Sequence, residues 1–463
     1  MTPRTAPGTA ILALAAAFAL AWANAFAGQF QFDDFASILQ DRSLRDVGGF
    51  LAELPHRIRP FTRLTYLIDH ALFGAKPGGY HLLNLALHAG CGLFVGRLAR
   101  RLGFGRAGAI LTAALFLVMP VTTEAVTYIS GRATLLAAFF SLLALVLYDR
   151  ATPGGPAGPV HRPVFAGALF GFALGLASKE TAAVVPLLVL VWDTAGRGAR
   201  RLGSLARRHA PFWAVAVAAA LAGLANTRYR ALLAFSLELR PLGVELLLLP
   251  RALLQDLLLV VRPDRLNVDH DFRAEAWLSE PWALGGAFLF LGTAAAAACL
   301  VRRRAPAVTA GFFLWLLASL PAHVVPRLDL VSERNIYLPL AGLALLWGGA
   351  AGALLAAVPP RFGSRARKLA YCAAALAILA GALATRERNR VWADPVALWS
   401  DAAAKSPNKA RVHANLGQAL FQRGDIDGAL REYRRAVELE PATTQLRDNL
   451  FRAWERRLEE RDR

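Results

Sequence analysis

The sequence predicts an all-α protein: a polytopic membrane domain of about eleven transmembrane helices over residues 1–385, then a short helical-repeat domain over 386–463. Three observations carry this prediction. Of the 463 residues, 56% are hydrophobic and only 18% charged, with a mean hydropathy of +0.40, too apolar for a water-soluble chain of this length. Apolar runs of membrane-crossing or near-crossing length recur along the first five-sixths of the chain. Beyond them a 34-residue period takes over.

The apolar runs lie at 8–27, 80–97, 106–120, 126–148, 163–177, 181–195, 211–227, 282–300, 305–321, 336–357 and 369–384. The first resembles a secretion signal with "ANAFA" as a cleavage site, but its length and the lone preceding Arg4 favour an uncleaved anchor. "GVELLLLPRALLQDLLLVV", 243–261, is apolar yet carries Arg251, Gln255 and Asp256, and reads as interfacial or re-entrant.

The formal charge of +19 is not a nucleic-acid footprint, because the basic clusters alternate between loops. Arg97 to Arg106, Arg162, Arg197 to Arg208, Arg302 to Arg304 and Arg361 to Lys368 mark the cytoplasmic side. The acid-bearing loops "FDDF", "TTEAV", "SKE", "NVDHDF" and "SERN", with the C-terminal tail, then fall outside. The Ala, Gly and Arg bias suggests a GC-rich bacterial genome, hence an inner-membrane protein with these loops in the periplasm. Cys91, Cys299 and Cys372 sit singly in apolar runs and offer no disulfide framework.

In the tail, Trp399, Ala402 and Pro407 recur as Tyr433, Ala436 and Pro441, and Asn415 and Leu416 as Asn449 and Leu450. Leu416, Gly417, Leu420, Ala429, Tyr433, Ala436 and Pro441 follow the tetratricopeptide signature in order, giving one complete repeat at about 410–443. A single repeat buries little by itself, so it leans on the membrane domain, as a cap or as a groove for an acceptor polypeptide.

Charges at bilayer depth cost roughly 2.5–3.5 kcal/mol on insertion scales, so those at the external edges need reasons. They are Asp33 and Asp34, Arg59 and Arg63, Glu124, Arg132, Lys179 and Glu180, Asp269 with His270 and Asp271, and Glu333 with Arg334. Structural alternatives stand beside each: the paired acids as a solvated turn, Arg132 and Lys179 snorkelling to headgroups, Glu333 and Arg334 pairing to hold helices together. His81, Asn84 and His88 share a helical face suited to interhelical hydrogen bonds, and no His and Cys cluster has zinc spacing. The mixture suits sugar transfer from a lipid phosphate, which needs a carboxylate base for the acceptor hydroxyl and cations for the departing phosphate. No P-loop or dinucleotide fingerprint is present in the sequence.

The ordered series "FDDF", "RPFTRLTY", "GYHLLNLALHA", "MPVTTEAVTYISGRATLLAA", "LASKETA", "LNVDHDF", "SERNIYLPL" and "RNRVWADPVALWSDAAAKSPN", followed by repeats, resembles the transmembrane-and-TPR protein O-mannosyltransferases and their bacterial relatives in the GT-C glycosyltransferase superfamily. The resemblance implies a GT-C membrane fold, a polyprenyl-phosphate sugar, mannose among the candidates, as donor, and an inverting transfer. It implies Asp33 or Asp34 as the base, Asp33 foremost, with Glu124 a second acid near the acceptor. Arg132, Lys179, Arg63 and Arg334 are the candidates for the donor phosphate, and His81, Asp269, His270 and Glu333 further site candidates. No cofactor is required on this reading, though a divalent cation on the acidic pair is an alternative. The implied partners are the lipid-linked sugar, membrane lipids and a protein Ser or Thr acceptor held by the repeats. A lipid-linked glycan or lipid acceptor, and a non-catalytic scaffold or transporter, are the competing readings. The repeat array is short for the family, and "MPVTTEAV" stands where a His-Pro version is common.

Overall fold

The computed structural model describes residues 7–155, 158–196 and 202–461. Arg4, Arg197, Arg200 and Arg201, used above to orient the chain, lie outside them. The described residues form helices and loops, with no strand among them. The principal helices are α1 (Pro7–Trp22), α2 (Pro60–Phe73), α3 (Pro77–Arg101), α4 (Arg106–Leu117), α5 (Arg132–Ala151), α6 (Arg162–Ser178), α7 (Leu202–Ala225) and α8 (Thr227–Leu239). There follow α9 (Leu242–Val261), α10 (Pro281–Val301), α11 (Pro306–His323), α12 (Tyr337–Ala357) and α13 (Pro360–Trp392). The tail holds α14 (Pro395–Lys405), α15 (Ala410–Arg423), α16 (Ile426–Leu439) and α17 (Thr444–Arg461).

Seven of the described helices are long and apolar enough to cross a membrane, and eight if α4 and the Pro120–Val126 turn, bent by 53°, make one span. Other expected runs fold as shorter pieces: Ile11–Ala27 and Arg162–Ser178 are short apolar helices, and the 181–195 run begins with a tight turn at Glu180–Val184 before Val185–Val191. Prolines open many of the helices, including α2, α3, α10, α11, α13 and α14, where the missing N–H is no loss and φ is already helical. The 243–261 stretch is one continuous helix, not a returning hairpin. Its two acids turn inward, Glu245 on Arg240 at 2.8 Å and Asp256 on His323 at 2.8 Å, while Arg251 reaches the exposed Glu280 at 2.7 Å.

The core runs through α3, α4, α5, α11 and α12, with α5 the most enclosed span. Contact between α11 and α12 is at backbone distance because both present glycine: a Cβ on Gly311 would lie 2.8 Å from the Gly342 carbonyl oxygen, and one on Gly342 2.8 Å from that of Gly311. By contrast α7, α10 and α13 expose most of their apolar side chains, as lipid-facing helices do.

At one end of the bundle the loops 28–59, 120–131, 179–184, 262–273 and 324–336 meet, joined by hydrogen bonds and ion pairs. These are the acid-bearing loops. Helix α13 continues unbroken through 385 and 386 to Trp392 and delivers the tail to this same end. There α15 and α16 form the complete repeat, flanked by α14 and α17. Trp399 packs with Ala402, Val412 and Leu416, and Val268 of the 262–273 loop packs against that cluster, so the tail does lean on the membrane domain.

Candidate functional site

Asp33 and Asp34 have opposite surroundings. Asp34 is fully buried: one carboxylate oxygen accepts the Gln31 N–H at 2.9 Å, the other the Ser130 N–H at 2.8 Å and a short bond from the Ser130 hydroxyl. Burial outweighs these hydrogen bonds and pushes its carboxyl up to about 7. Asp34 thus ties its loop to the "YISGR" turn, which packs so closely that a Cβ on Gly131 would fall 2.6 Å from the carbonyl oxygens of Glu124 and Ala125. Asp33 is exposed at the loop's tip, its N–H donated to the Tyr128 hydroxyl at 3.0 Å and its charge acting on Tyr128 and on Arg334. The preceding Phe32 holds φ at 41°, a left-handed conformation that costs a bulky residue energy and that the loop's anchors over-determine. Those anchors include Gln31 on the Trp392 carbonyl, at 3.2 Å, and Phe32 edge-on to Trp399, at 5.8 Å between ring centroids.

Beside this tip four cations gather. Arg59, the other non-glycine residue with positive φ (57°) among those described, precedes Pro60 and donates to both Glu180 oxygens at 2.8 and 3.2 Å. Arg327 reaches the same carboxylate only at 4.0 Å. Arg334 lies 3.4 Å from Glu124, and Lys179 donates to Thr134 at 2.8 Å and to Asn335 at 3.4 Å, both neutral. Burial first, then the charges of Arg327, Arg59 and Arg334, push the Lys179 ammonium well below its usual range. Burial, Arg59 and Arg334 likewise lower Arg327 despite Glu180. Arg59, Arg327 and Arg334 are each about a third exposed, so the cluster opens to the outside. Under Lys179 a small cavity of about 20 Å³ is lined by Thr134, Asn335 and apolar residues of α5, α11 and α12.

Glu124 is buried with its oxygens engaged by Ser332 at 3.1 and 3.2 Å and the Arg334 N–H at 2.9 Å. It therefore seats the turn that presents Arg334. The remaining sequence candidates lie elsewhere. Arg132, fully enclosed, commits its guanidinium to Asp69 at 2.5 Å, Asn84 at 2.8 Å, the Tyr80 carbonyl at 2.8 Å and the Tyr66 ring face. It locks α5 to α2 and α3 and does not face the cleft. Arg63, in the first turn of α2, pairs with Asp41 of the first loop at 2.7 Å. His81 holds the Gly28 carbonyl at 3.2 Å. Asp269, His270 and Glu333 form the seat of the tail: Arg411 grips Asp269 at 2.5 and 2.7 Å, Lys409 at 2.5 Å, and Glu333 takes His270 at 3.3 Å and the Asn267 N–H.

Of the sequence candidates, then, Asp33, Lys179 and Arg334 share the cleft, with Glu124 and Asp34 behind it. Arg327 and Tyr128 were missed, and Arg59 and Glu180 were read only as edge charges. A signal existed for Arg327: it lies in the same external loop as Arg334, seven residues before it.

Comparison with known proteins gives three kinds of likeness. A tetratricopeptide-repeat family model matches residues 410–443. The human protein O-mannosyl-transferase TMTC3 is 26% identical over 91% of this chain and 50% of its own length. Human TMTC4 is 27% identical over 89% of this chain and 64% of its own, and the Caenorhabditis elegans protein O-mannosyl-transferase F38B6.6 is 25% identical over 90% and 61%. The chain spans about half the length of the human TMTC3 it matches. Among solved structures, ArnT from Cupriavidus metallidurans bound to undecaprenyl phosphate aligns over 94% of this chain and 77% of its own, at 18% identity and a TM-score of 0.45. The motif resemblance to the transmembrane-and-TPR O-mannosyltransferases thus extends to sequence similarity along nearly the whole chain.

Proposed function

We propose that the chain is a GT-C glycosyltransferase that moves a sugar, mannose foremost, from a polyprenyl-phosphate donor to a Ser or Thr hydroxyl of a protein, on the periplasmic face of a bacterial inner membrane. The observation that carries this reading is an exposed carboxylate beside four clustered cations at one end of an apolar helix bundle. Like charges held together oppose folding, and an anion among them relieves the repulsion. Lys179, whose hydrogen-bond partners are both neutral, and Arg327, whose ion partner is distant, have the most to gain.

On this reading the donor phosphate rests among Arg59, Lys179, Arg327 and Arg334. Its polyprenyl chain runs past Val325 and Leu328, both exposed and flanking Arg327, and past α8, which buries none of its residues and carries Tyr229 beside Arg59. Asp33 takes the proton of the acceptor hydroxyl as that oxygen attacks the anomeric carbon. The bond from anomeric carbon to phosphate oxygen breaks, inverting the configuration, and the cations hold the released phosphate. Because four side chains supply the positive charge, transfer is expected to survive chelation of divalent cations. The similarity to proteins named O-mannosyl-transferases supports the sugar and the acceptor class.

The test is release of polyprenyl phosphate from a synthetic polyprenyl-phosphate mannose by the purified chain with a Ser/Thr peptide, with and without EDTA. Absence of release with every polyprenyl-phosphate sugar offered overturns the reading. Loss of transfer with EDTA alone reassigns the acids to a metal.

A further inference from the structure

The tail is joined to the membrane domain by a charge network that also holds the loop bearing one of the cleft's cations. Lys409, just before α15, and Arg411, in its first turn, face two acids from different loops. Asp269 comes from the 262–273 loop. Asp329 comes from the 324–332 connection between α11 and α12, and meets Lys409 at 3.1 Å and Arg411 at 2.7 Å. The two cations together hold the Asp329 carboxyl below its usual range, although burial opposes them. Asp329 is two residues from Arg327, and five from Arg334.

Between Val324, whose N–H closes α11 on the Leu320 carbonyl, and Ser332, whose carbonyl opens the next turn, the chain has no helical hydrogen bonds of its own, so its course is set by what grips it. At one side Arg240 donates to the Arg327 carbonyl at 2.5 Å. At the other, Ser332 and the Arg334 N–H sit on Glu124. Between these, Leu330 and Val331 are buried in the core, and the polar side-chain anchor is Asp329 on the tail. Arg327 itself touches Glu180 only at 4.0 Å, too long to fix a guanidinium.

We infer that Lys409 and Arg411 are positioning residues for the donor-phosphate cradle: by gripping Asp329 the repeat tail holds Arg327 where the lipid phosphate is bound. This rests on the donor reading above. It gives the tail a part in donor binding that is separate from any hold on an acceptor. A tail that were merely attached would need only the Asp269 side of the network.

Two measurements on the full-length chain in detergent test it: affinity for a sugar-free polyprenyl phosphate, followed by thermal shift, and donor KM against kcat. Asp329→Asn leaves Arg411 and Lys409 on Asp269, so the tail stays docked while the loop loses its grip. We expect about tenfold weaker binding of the probe, equivalent to ~1.4 kcal/mol, and a similar rise in donor KM with kcat changed less than about twofold. Asp329→Glu should recover most of the loss. Arg273→Ala is the control: Arg273 donates to the Asn408 carbonyl at 3.0 Å, a dock contact that touches neither Asp329 nor the cradle. It should bind the probe as wild type does. If Asp329→Asn also binds as wild type, or Arg273→Ala weakens binding equally, the tail is only an attachment and the inference fails. If the wild type itself does not bind the probe, the donor reading fails first.

Discussion

Asp33 and Asp34 differ in one substitution test because their carboxylates do different work. Asp33→Asn keeps shape and removes basicity at an exposed tip, so transfer should drop by about 10²–10⁴-fold with an unchanged melting temperature. Asp34→Asn replaces an acceptor that takes three hydrogen bonds with an amide that offers a donor to the Ser130 or Gln31 N–H. That mismatch should destabilise the folded chain by about 1–3 kcal/mol, lowering melting temperature and activity together. A wild-type transfer rate in Asp33→Asn would remove the base from the mechanism. Asp34 also predicts a pH dependence. Its carboxyl titrates near 7 in the fold against 3.8 when exposed, so between about pH 4 and 7 the folded chain holds a proton that the unfolded chain has released. Its contribution to stability is therefore full below about pH 4 and lost as pH rises through about 7. Melting curves in detergent across that window should slope downward with pH, and the slope should shrink in Asp34→Asn.

Helix α5 and the segments around it decide which basic residues are available. Arg132 opens α5 from a glycine turn that points it inward between α2 and α3, whereas Lys179 and Arg59 stand at helix boundaries at the mouth of the bundle. Arg132→Ala would leave Asp69 buried with no counter-charge, at a cost of about 3–5 kcal/mol, and should deplete the folded protein from membranes. Arg59→Ala and Arg327→Ala should leave the fold intact and weaken donor binding, read as a rise in donor KM at normal membrane levels. Equal protein loss in all three would make the cations structural. In the sequence Arg132 lies near the start of the 126–148 run and Lys179 between the 163–177 and 181–195 runs, and both read alike as edge cations. What separates them is the direction of the first helical turn, which is a tertiary fact.

For the whole molecule, the contact of Phe32 with Trp399 and of Gln31 with Trp392 requires the first loop, the cleft and the repeats to lie on one side of the membrane. A phosphatase reporter joined after α17 should then be active in the periplasm and one inserted near residues 302–304 inactive; the reverse pattern would turn the cleft to the cytoplasm. The sequence by itself determined the helical class, the alternation of basic and acidic loops and the 34-residue repeat. Each is written in short-range periodicity or in local charge counts, which hydrophobic and electrostatic partitioning read without knowledge of the fold. It also determined that the paired acids, Lys179 and Arg334 belong to one face. Only the tertiary structure decided which acid of the pair is buried, that Arg132 is a lock between helices, that Glu124 seats Arg334, and that Asp269, His270 and Glu333 carry the tail. Arg327 enters the site through Glu180, 147 positions before it, and its neighbour Asp329 is held by Arg411, 82 positions further on. Partners at such separations leave no periodic trace in the chain, because burial and ion pairing act on distance in space.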